Sequence, residues 1–505
     1  MKKRALISVT DKTNLIPFVK GLIERGYEIV STGGTYNVLK SSDISCKRVD
    51  ELTSFPEIFD GRVKTLHPLI HGGLLGIRDN EKHILEAKNN QIEWFDILVI
   101  NLYRFKETLD DVFASEDDII EKIDIGGPAM IRSGAKNHKY VTVVTEPADY
   151  DEVLRVIDDS GEIPLDFKKS LAAKAFRLTA QYDAWIAKYL TKEDFPNRLT
   201  LTYSKKQELR YGENPHQSAA FYINDDSLPY SLATSVKLHG KELSYNNIQD
   251  ANCALTIISE FEDSCCVALK HMNPCGIGCS DDIYKAWQKA YDSDPVSIFG
   301  GIVAFNRELD LSIAKELADL FIELVLAPSF EKSALELLSK KKNLRILTYE
   351  ISPRESNKQI VSVEGGILIQ DKDDLLYQEL YCVTETKPSE DDINNLKFAY
   401  KAVKHVKSNA IVIADDFKTL GIGAGQMNRV GACQIALDQA KEKAKGAYLA
   451  SDAFFPMADS VLLAAKAGIK AIIQPGGSIK DQESIDVCNE YGMIMVYTKM
   501  RHFKH

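Results

Sequence analysis

A parallel α/β sandwich over the first 190 or so residues, followed by a larger region with two similar halves, is the architecture this sequence predicts. Three observations carry it. Short apolar runs of strand length alternate with segments of helical spacing through the first part of the chain. Near residue 198 a polar, proline-containing stretch interrupts that pattern. Beyond it, apolar runs at residues 265–269 and 410–414 each lead into a glycine-rich turn, "NPCGIG" in one and "TLGIGAG" in the other, though the identity between the halves is too slight to establish a repeat. At 505 residues the chain exceeds what one hydrophobic core holds, and length alone predicts about three domains.

The elements follow in order. "ALISV" is a buried-strand run, and "TNLIPFVKGLIERG" has helical spacing, with Thr13 as its expected cap and Gly26 as its stop. "YEIV", "FDILVINLY" (95–103) and "YVTVVT" (140–145) read as further strands. Residues 166–190, "DFKKSLAAKAFRLTAQYDAWIAKYL", form an amphipathic helix that gives way to the linker "TKEDFPNRLT". The expected domains are therefore 1–198 and 199–505. The lysine-rich stretch 330–343 and the "TKPSEDDIN" segment read as surface or junction material, and a division of the second region near 375 gives halves of 199–375 and 376–505.

Composition bounds the function. An apolar share of 45% with 27% charged residues is that of an ordinary globular protein. The 62 basic and 73 acidic side chains leave a formal charge of −11, which argues against a broad nucleic-acid footprint but leaves room for small anionic ligands. Nine sparse cysteines in apolar or mixed surroundings argue for reduced thiols. The apolar run after "MKKR" is too short for a signal core, and no stretch approaches the roughly 18 apolar residues of a bilayer span. A cytoplasmic, unanchored protein is the expectation.

Several motifs carry chemistry. "STGGT" (31–35) lies between a strand and a helix, where backbone N–H groups and hydroxyls can cradle a phosphate; a plain glycine turn capped by Thr35 fits it equally well. The triphosphate-loop spacing is absent, and "GIGAG" fails the dinucleotide spacing. "RVKTLHPLIHGG" (62–73) places two cations and a hydroxyl together; His67 and His71 are four apart, but no Glu accompanies them and Pro68 intervenes, so both read as structural. "NLYRF" (101–105) puts a phenol at a strand's end, and "DIGGPAMIRSGAKNH" (124–138) adds a carboxylate and Lys136. Together these make a Lys-Tyr-Asp-Lys set suited to activating a carbonyl without metal.

"LKHMNPCGIGC" (269–279) admits two chemistries. Zinc nucleobase deaminases use H-x-E followed by P-C-x-x-C, whereas here His271 precedes Met272 and Asn273, and three residues separate Cys275 from Cys279. Both the acid and the spacing fail. The other chemistry is a metal-free Lys270-His271 pair at the end of a buried strand, an expected place for catalysis. "RYGENPHQ", "KSNAIVIA", "SDAFFP" and the terminal "RHFKH" add polar groups near apolar runs.

The ordered set "SVTDKT", "STGGT", "RVKTLHP", "DIGGPAMIRSGAKNH", "RYGENPHQ", "KHMNPCG", "DPVSIFGGIVAFN", "SNAIVIA", "GIGAGQMNR", "SDAFFP", "QPGGSI" and "MRHFKH" runs nearly end to end. With it the chain resembles the bifunctional purine-biosynthesis family that joins AICAR transformylase to IMP cyclohydrolase. The resemblance implies an N-terminal methylglyoxal-synthase-like α/β domain and a C-terminal transformylase region of two cytidine-deaminase-like subdomains without catalytic zinc. It implies 10-formyltetrahydrofolate as co-substrate, no catalytic metal, and nucleotide and folate substrates handled by a homodimer with neither nucleic acid nor membrane as partner; a monovalent cation requirement stays open.

Carried over residue by residue, the resemblance assigns formyl transfer to Lys270, His271 and Asn409, and cyclisation to Lys64, Tyr103, Asp124 and Lys136. It assigns substrate binding in the first domain to Ser8, Lys12, Ser31, Thr32, Gly33, Gly34, Thr35, Arg62 and Thr65, which favours the phosphate reading of "STGGT". In the second region it assigns binding to Arg210, Tyr211, Arg429, Phe454, Asp459, Arg501 and His505, with the C-terminal tail docked. Arg104, Met457, Ala458 and Lys499 depart from the usual pattern, and the middle two bear on packing against the folate. Two competing readings are a zinc-dependent nucleobase deaminase and a non-catalytic nucleotide-binding protein.

Overall fold

The computed structural model describes residues 2–191, 193–225, 229–352 and 358–505; Lys192, within the expected linker, lies outside them. The chain divides into two compact units, Met1–Thr202 and Tyr203–His505.

The first unit holds a five-stranded sheet of β1 (Lys3–Ser8), β2 (Tyr27–Ser31), β3 (Lys47–Arg48), β4 (Ile97–Ile100) and β5 (Thr142–Val144). Its order is β3-β2-β1-β4-β5, parallel throughout. Alternation along each strand feeds two cores. Ala5, Ile7, Ile97 and Val99 pack with helices Leu15–Glu24 and Tyr150–Ser160, while Leu6, Leu98 and Ile100 pack with Gly126–Lys136 and Leu165–Leu190. A strand covered on both faces has no polar side, which is why these segments read as apolar runs. The chain proceeds outward from β1 in one direction and from β4 in the other, so a topological switch lies between them, where α/β sheets place ligands. The N-cap position of the first helix is Asn14, in the left-handed region and without a side-chain cap hydrogen bond, and not Thr13 as expected; the Thr13 N–H donates to Asp11 Oδ1 at 2.8 Å.

The second unit adds a β6–β7 hairpin (Ser204–Leu209, Ala219–Ile223), then β8 (Val236–His239), β9 (Ser264–Lys270), β10 (Asn273–Ser280), β11 (Ile302–Phe305), β12 (Leu324–Ala327) and β13 (Arg345–Thr348). A β14–β15 hairpin (Lys358–Val363, Gly366–Asp371) precedes β16 (Tyr381–Cys382), β17 (Ile411–Asp415), β18 (Lys418–Gly423), β19 (Tyr448–Ser451), β20 (Ala471–Gln474) and β21 (Ile494–Tyr497). Twelve of these strands form one sheet in the order β16-β21-β20-β19-β17-β18-β10-β9-β11-β12-β13-β8.

That order is a duplication read outward from its centre. Each half begins with a helix carrying a Ser capping box, Tyr245–Ile258 or Glu390–Val403, and continues into an antiparallel hairpin, β9–β10 or β17–β18. Three parallel strands joined by helices follow, and a short antiparallel strand closes each edge. The halves meet where β10 pairs with β18. One core runs beneath both halves along the two capped helices, and each half keeps its own core on the opposite face.

One expectation is corrected here and one extended. "NPCGIG" and "TLGIGAG" are strands rather than turns: a Cβ at Gly276 or Gly278 would meet the backbone of helix Ile283–Ser293, and one at Gly421 or Gly423 that of Arg429–Ala440. Glycine here serves close helix-on-strand packing. The segments expected at the surface or junction are largely exposed or half-buried, and they also begin helices that the sequence reading did not name: Lys332–Leu338, with Ala334 and Leu338 buried, and Glu390–Val403, whose inner face is core and whose capping box is formed by Ser389 and Asp392 of "TKPSEDDIN".

Candidate functional site

At the strand C-termini of the first unit lies a cleft of about 590 Å³, lined among others by Ser8, Lys12, Thr32, Gly34, Thr35, Arg62, Lys64, Thr65, Tyr103 and Asp124. Thr32 donates to Ser8 Oγ at 2.8 Å, and Thr35 Oγ1 accepts the Val9 N–H at 3.0 Å, which ties the β1 loop to the first turn of helix Gly33–Ser41. The free amides at that N-terminus, with Gly34 unobstructed, leave an anion-sized recess. Lys12 reaches the Val9 carbonyl and Thr35 Oγ1, and burial pushes its ammonium pKa down. Ser31 is set behind the cleft, fully buried and donating to the Ile7 carbonyl, while Gly33 begins the helix.

Facing this recess, Lys64 donates to Tyr103 Oη at 3.1 Å and stands over its ring. Asp124 is held by Gly127 N–H at 2.8 Å, and burial raises its carboxyl above the ordinary range against the pull of that amide and of Lys64. A Cβ on Gly127 would strike this carboxylate, which explains the Gly-Gly pair. Arg62 pairs with Glu121 at the exposed lip. Lys136 is placed elsewhere: it ends the helix that Asp124 precedes, roughly 16 Å along an axis rising 1.5 Å per residue, and lines a separate concavity with Arg132, His138 and Phe176.

His67 and His71 hold structural positions. His67 caps helix Pro68–Leu75 by accepting the Leu69 N–H at 3.2 Å, and His71 Nδ1 meets Ser133 Oγ at 2.9 Å. Two functional side chains escaped the sequence reading. Asn101 Oδ1 accepts the Thr10 and Asp11 amides at 2.6 and 3.0 Å, fixing the loop that carries Lys12. Tyr182 Oη accepts the Asp124 N–H and donates to the Lys122 carbonyl, both at 2.8 Å. Asn101 lay in the quoted "NLYRF", whereas Tyr182 is 58 residues from Asp124 and had no local signal.

In the second unit Lys270 ends β9 and donates to the Phe299 carbonyl at 2.9 Å. His271 and Met272 form a two-residue hairpin turn, both left-handed at φ 54° and 58°, as a type I′ turn demands. Asn273 Oδ1 accepts the Lys407 N–H at 3.2 Å, joining this turn to the loop before β17. There Asn409 donates to the Gln426 carbonyl at 2.8 Å and accepts from Arg429 at 2.7 Å. Arg429 is buried and paired with the fully buried Asp452, so its guanidinium orients Asn409 from behind.

The C-terminal tail is docked against the same loop. Ser408 and Lys504 exchange hydrogen bonds at 2.9 and 3.0 Å, His502 N–H donates to the Asp452 carbonyl, and Lys504 Nζ reaches the His405 carbonyl at 2.9 Å. Arg501, over the Phe503 ring, and His505 are exposed beyond this knot, as are Phe454 and Asp459. Arg210 stacks on Tyr211. Among the described residues no hydrogen bond or ring contact joins Arg210, Tyr211, Phe454 or Asp459 to Lys270–His271.

Cys275 and Cys279 are not spaced to share one metal ion. They lie four residues apart on β10, roughly 13 Å in extended chain, whereas two thiolates on one zinc stay within about 4.6 Å. Burial pushes the Cys275 thiol up to about 12 and raises the Cys265 and Cys266 thiols well above their ordinary range.

Two α/β units, one with a helix N-terminus and a Lys-Tyr-Asp set lining one cleft and the other with a Lys-His hairpin tied to the loop that carries Asn409, give the architecture of an enzyme with two separate polar clusters. Comparison with known proteins agrees. Residues 134–439 match the family AICARFT/IMPCHase bienzyme, and residues 14–129 match the MGS-like domain. "Bifunctional purine biosynthesis protein PurH" of Bacillus cytotoxicus and that of Bacillus cereus are each 56% identical to this chain, covering 100% of both sequences. A solved structure described as "Crystal structure of ForH" is 34% identical over 37% of this chain and 95% of its own, with a TM-score of 0.34, too low to carry a structural argument. The chain belongs to the AICARFT/IMPCHase bienzyme family: it is a bifunctional purine-biosynthesis enzyme, an AICAR formyltransferase and IMP cyclohydrolase.

Proposed function

We propose that the two clusters divide the reaction between them. In the larger unit the 5-amino group of AICAR attacks the formyl carbon of 10-formyltetrahydrofolate, and His271 takes the amine proton. Lys270 stabilises the oxyanion or returns a proton to the departing folate nitrogen, so that a C–N bond forms to the nucleotide and one breaks to tetrahydrofolate. Asn409 hydrogen-bonds the formyl group, a role supported by its fixed orientation against Arg429. Arg210, Tyr211, Phe454, Asp459, Arg501 and His505 bind substrate at this site.

In the smaller unit the carboxamide nitrogen attacks the new formyl carbon and water is lost. The Ser8, Lys12, Thr32–Thr35 recess takes the phosphate, with Arg62 and Thr65 at its side. Lys64 and Tyr103, already hydrogen-bonded, face the developing oxyanion, and Asp124 with its raised pKa handles the proton or orientation. The observation that carries this reading is the Lys64–Tyr103–Asp124 set sharing one cleft with the phosphate recess. A part for Lys136 requires a second copy of the chain, in keeping with a homodimer.

The protein is placed in the cytoplasm, which its nine free thiols support; no helix among the described residues is long and apolar enough to cross a membrane. The test is a pair of substitutions assayed with AICAR plus 10-formyltetrahydrofolate, and separately with pre-formylated nucleotide, with products identified by mass. His271→Ala should abolish formyl transfer and leave cyclisation, and Lys64→Ala the reverse. Loss of both activities from either folded variant would overturn the two-site assignment.

A further inference from the structure

The two halves of the larger unit share a register, so one half can serve as a control on the other. Ser244 and Ser389 cap equivalent helices with the same box. Six residues into each segment stand Asp250 and Asn395, and each is followed at the same interval by the second residue of a two-residue turn, Met272 or Phe417. Asp416 and Phe417 are left-handed at φ 48° and 53°, like His271 and Met272. The following strands bulge at matching positions, 274–276 opposite β9 and 419–421 opposite β17.

In both halves the helix side chain accepts the amide of that turn. Met272 N–H donates to Asp250 Oδ1 at 2.7 Å, and Phe417 N–H to Asn395 Oδ1 at 3.3 Å. An amide oxygen therefore suffices to anchor such a turn. The carboxylate appears in the half whose turn carries His271.

The charges around that turn give it a reason. Lys270 is on the same hairpin, Lys407 is tied to it through Asn273, and Lys504 lies against Cys253, which itself donates to the Met272 carbonyl. Lys270 on the hairpin, and Lys504 and Lys407 around Cys253, thus bring positive charge to the neighbourhood of the turn. Opposing them are Asp250 and, at the start of β12, Glu323, whose carboxylate accepts from Asn247 of the same helix. Burial raises the Asp250 carboxyl, and the Met272 and His271 amides and the His271 side chain draw it back, so the carboxylate faces the turn in a poorly screened setting.

We propose that Asp250 is a positioning residue for formyl transfer, anchoring the His271–Met272 turn and supplying the negative charge that favours the imidazolium as His271 takes the amine proton. The proposal rests on His271 being the proton acceptor, and three variants of the full-length enzyme separate the two claims. Asp250→Asn keeps the acceptor and removes the charge. Formyl-transfer kcat should fall about tenfold, with KM for AICAR and folate within about twofold, and the acid limb of the pH profile should move down by roughly 0.5–1 unit, because losing a neighbouring anion weakens the base. Asp250→Ala, losing anchor and charge, should cost about tenfold more, with cyclisation of pre-formylated nucleotide unchanged in both. Wild-type kcat and a superimposable pH profile in Asp250→Asn would overturn the proposal and leave Asp250 a backbone anchor, and this variant decides the matter even where Asp250→Ala fails to fold. His271→Ala retaining formyl transfer would instead remove the reading beneath it.

Discussion

Replacing Arg429 with Met tests whether a buried ion pair holds the transformylase loop in place. Asp452 is fully buried, with Ser408 Oγ at 2.5 Å as a neutral donor and Arg429 as the opposing cation. Methionine fills the arginine stem but leaves that carboxylate facing an interior that solvates it poorly. Removing one member of a buried pair costs about 3–5 kcal/mol, and in a unit of roughly 300 residues each kcal/mol lowers the unfolding midpoint by about 1.5 °C. The larger unit should therefore melt about 5–8 °C lower by scanning calorimetry. Asn409 also loses its 2.7 Å donor while keeping Gln426, so formyl transfer should fall at least about tenfold with cyclisation intact. The double variant Arg429→Met/Asp452→Asn neutralises the stranded charge and should recover at least half of the lost stability. A single variant that melts within about 2 °C of wild type, or a double variant no better than the single, would refute the argument that the charge is the cause.

Two further outcomes follow from buried polar groups. Tyr182→Phe strands the Asp124 amide and the Lys122 carbonyl, which should cost about 1–3 kcal/mol and lower cyclisation kcat more than it raises KM; unchanged cyclisation kinetics would show that the anchor is dispensable. Burial pushes the His405 imidazole down to about 4 from an ordinary 6.5, although it touches Glu260, itself held at about 2 by His405 and Lys404 against burial. The unfolded chain takes up the histidine proton first, so stability is full above pH 6.5 and drains away as pH falls toward 4. Urea midpoints for the larger unit should register a loss of about 2 kcal/mol between pH 7 and 5, and His405→Gln should flatten most of that slope; an unchanged slope would assign the loss to other groups.

What was legible in the sequence was whatever packing writes locally. β1, β2, β4 and β5 could be read because a strand covered on both faces must be apolar along its length, and Leu165–Leu190 because one face of a long helix must be. The glycines of β10 and β18 were misread because a strand glycine and a turn glycine look alike until the helix lying on the strand is known. The helix begun by Ser389 was missed even though its Ser-x-x-Asp pattern was present, since the charged surroundings read as surface. The core motifs of both sites were local enough to find. Their supports were not, for Tyr182 reaches Asp124 across 58 residues, Lys407 reaches Asn273 across 134, and Lys504 reaches Cys253 across 251.

The duplication shows how the hairpin proposed for catalysis differs from its counterpart. Backbone strain does not separate them, since both turns hold two left-handed residues on the same type of strand pair. Burial does not either, since His271 and Asp416 are both exposed and Met272 and Phe417 both pack partly buried on the same core; occupation does. Phe417 packs edge-on to Phe398 in the shared core, its carbonyl accepts the Cys279 N–H at 2.9 Å, and Lys289 pairs with Asp416, so this turn spends its groups on joining the halves. His271, the counterpart of Asp416, is exposed as well, but among the described residues no hydrogen bond or ion pair occupies its imidazole, while its neighbours Lys270 and Asn273 bond the Phe299 carbonyl and the Lys407 amide. The same scaffold geometry thus ties one turn into the join between the halves through Asp416 and Phe417 and leaves the imidazole of the other unoccupied among the described residues, at the end to which formyl transfer is proposed.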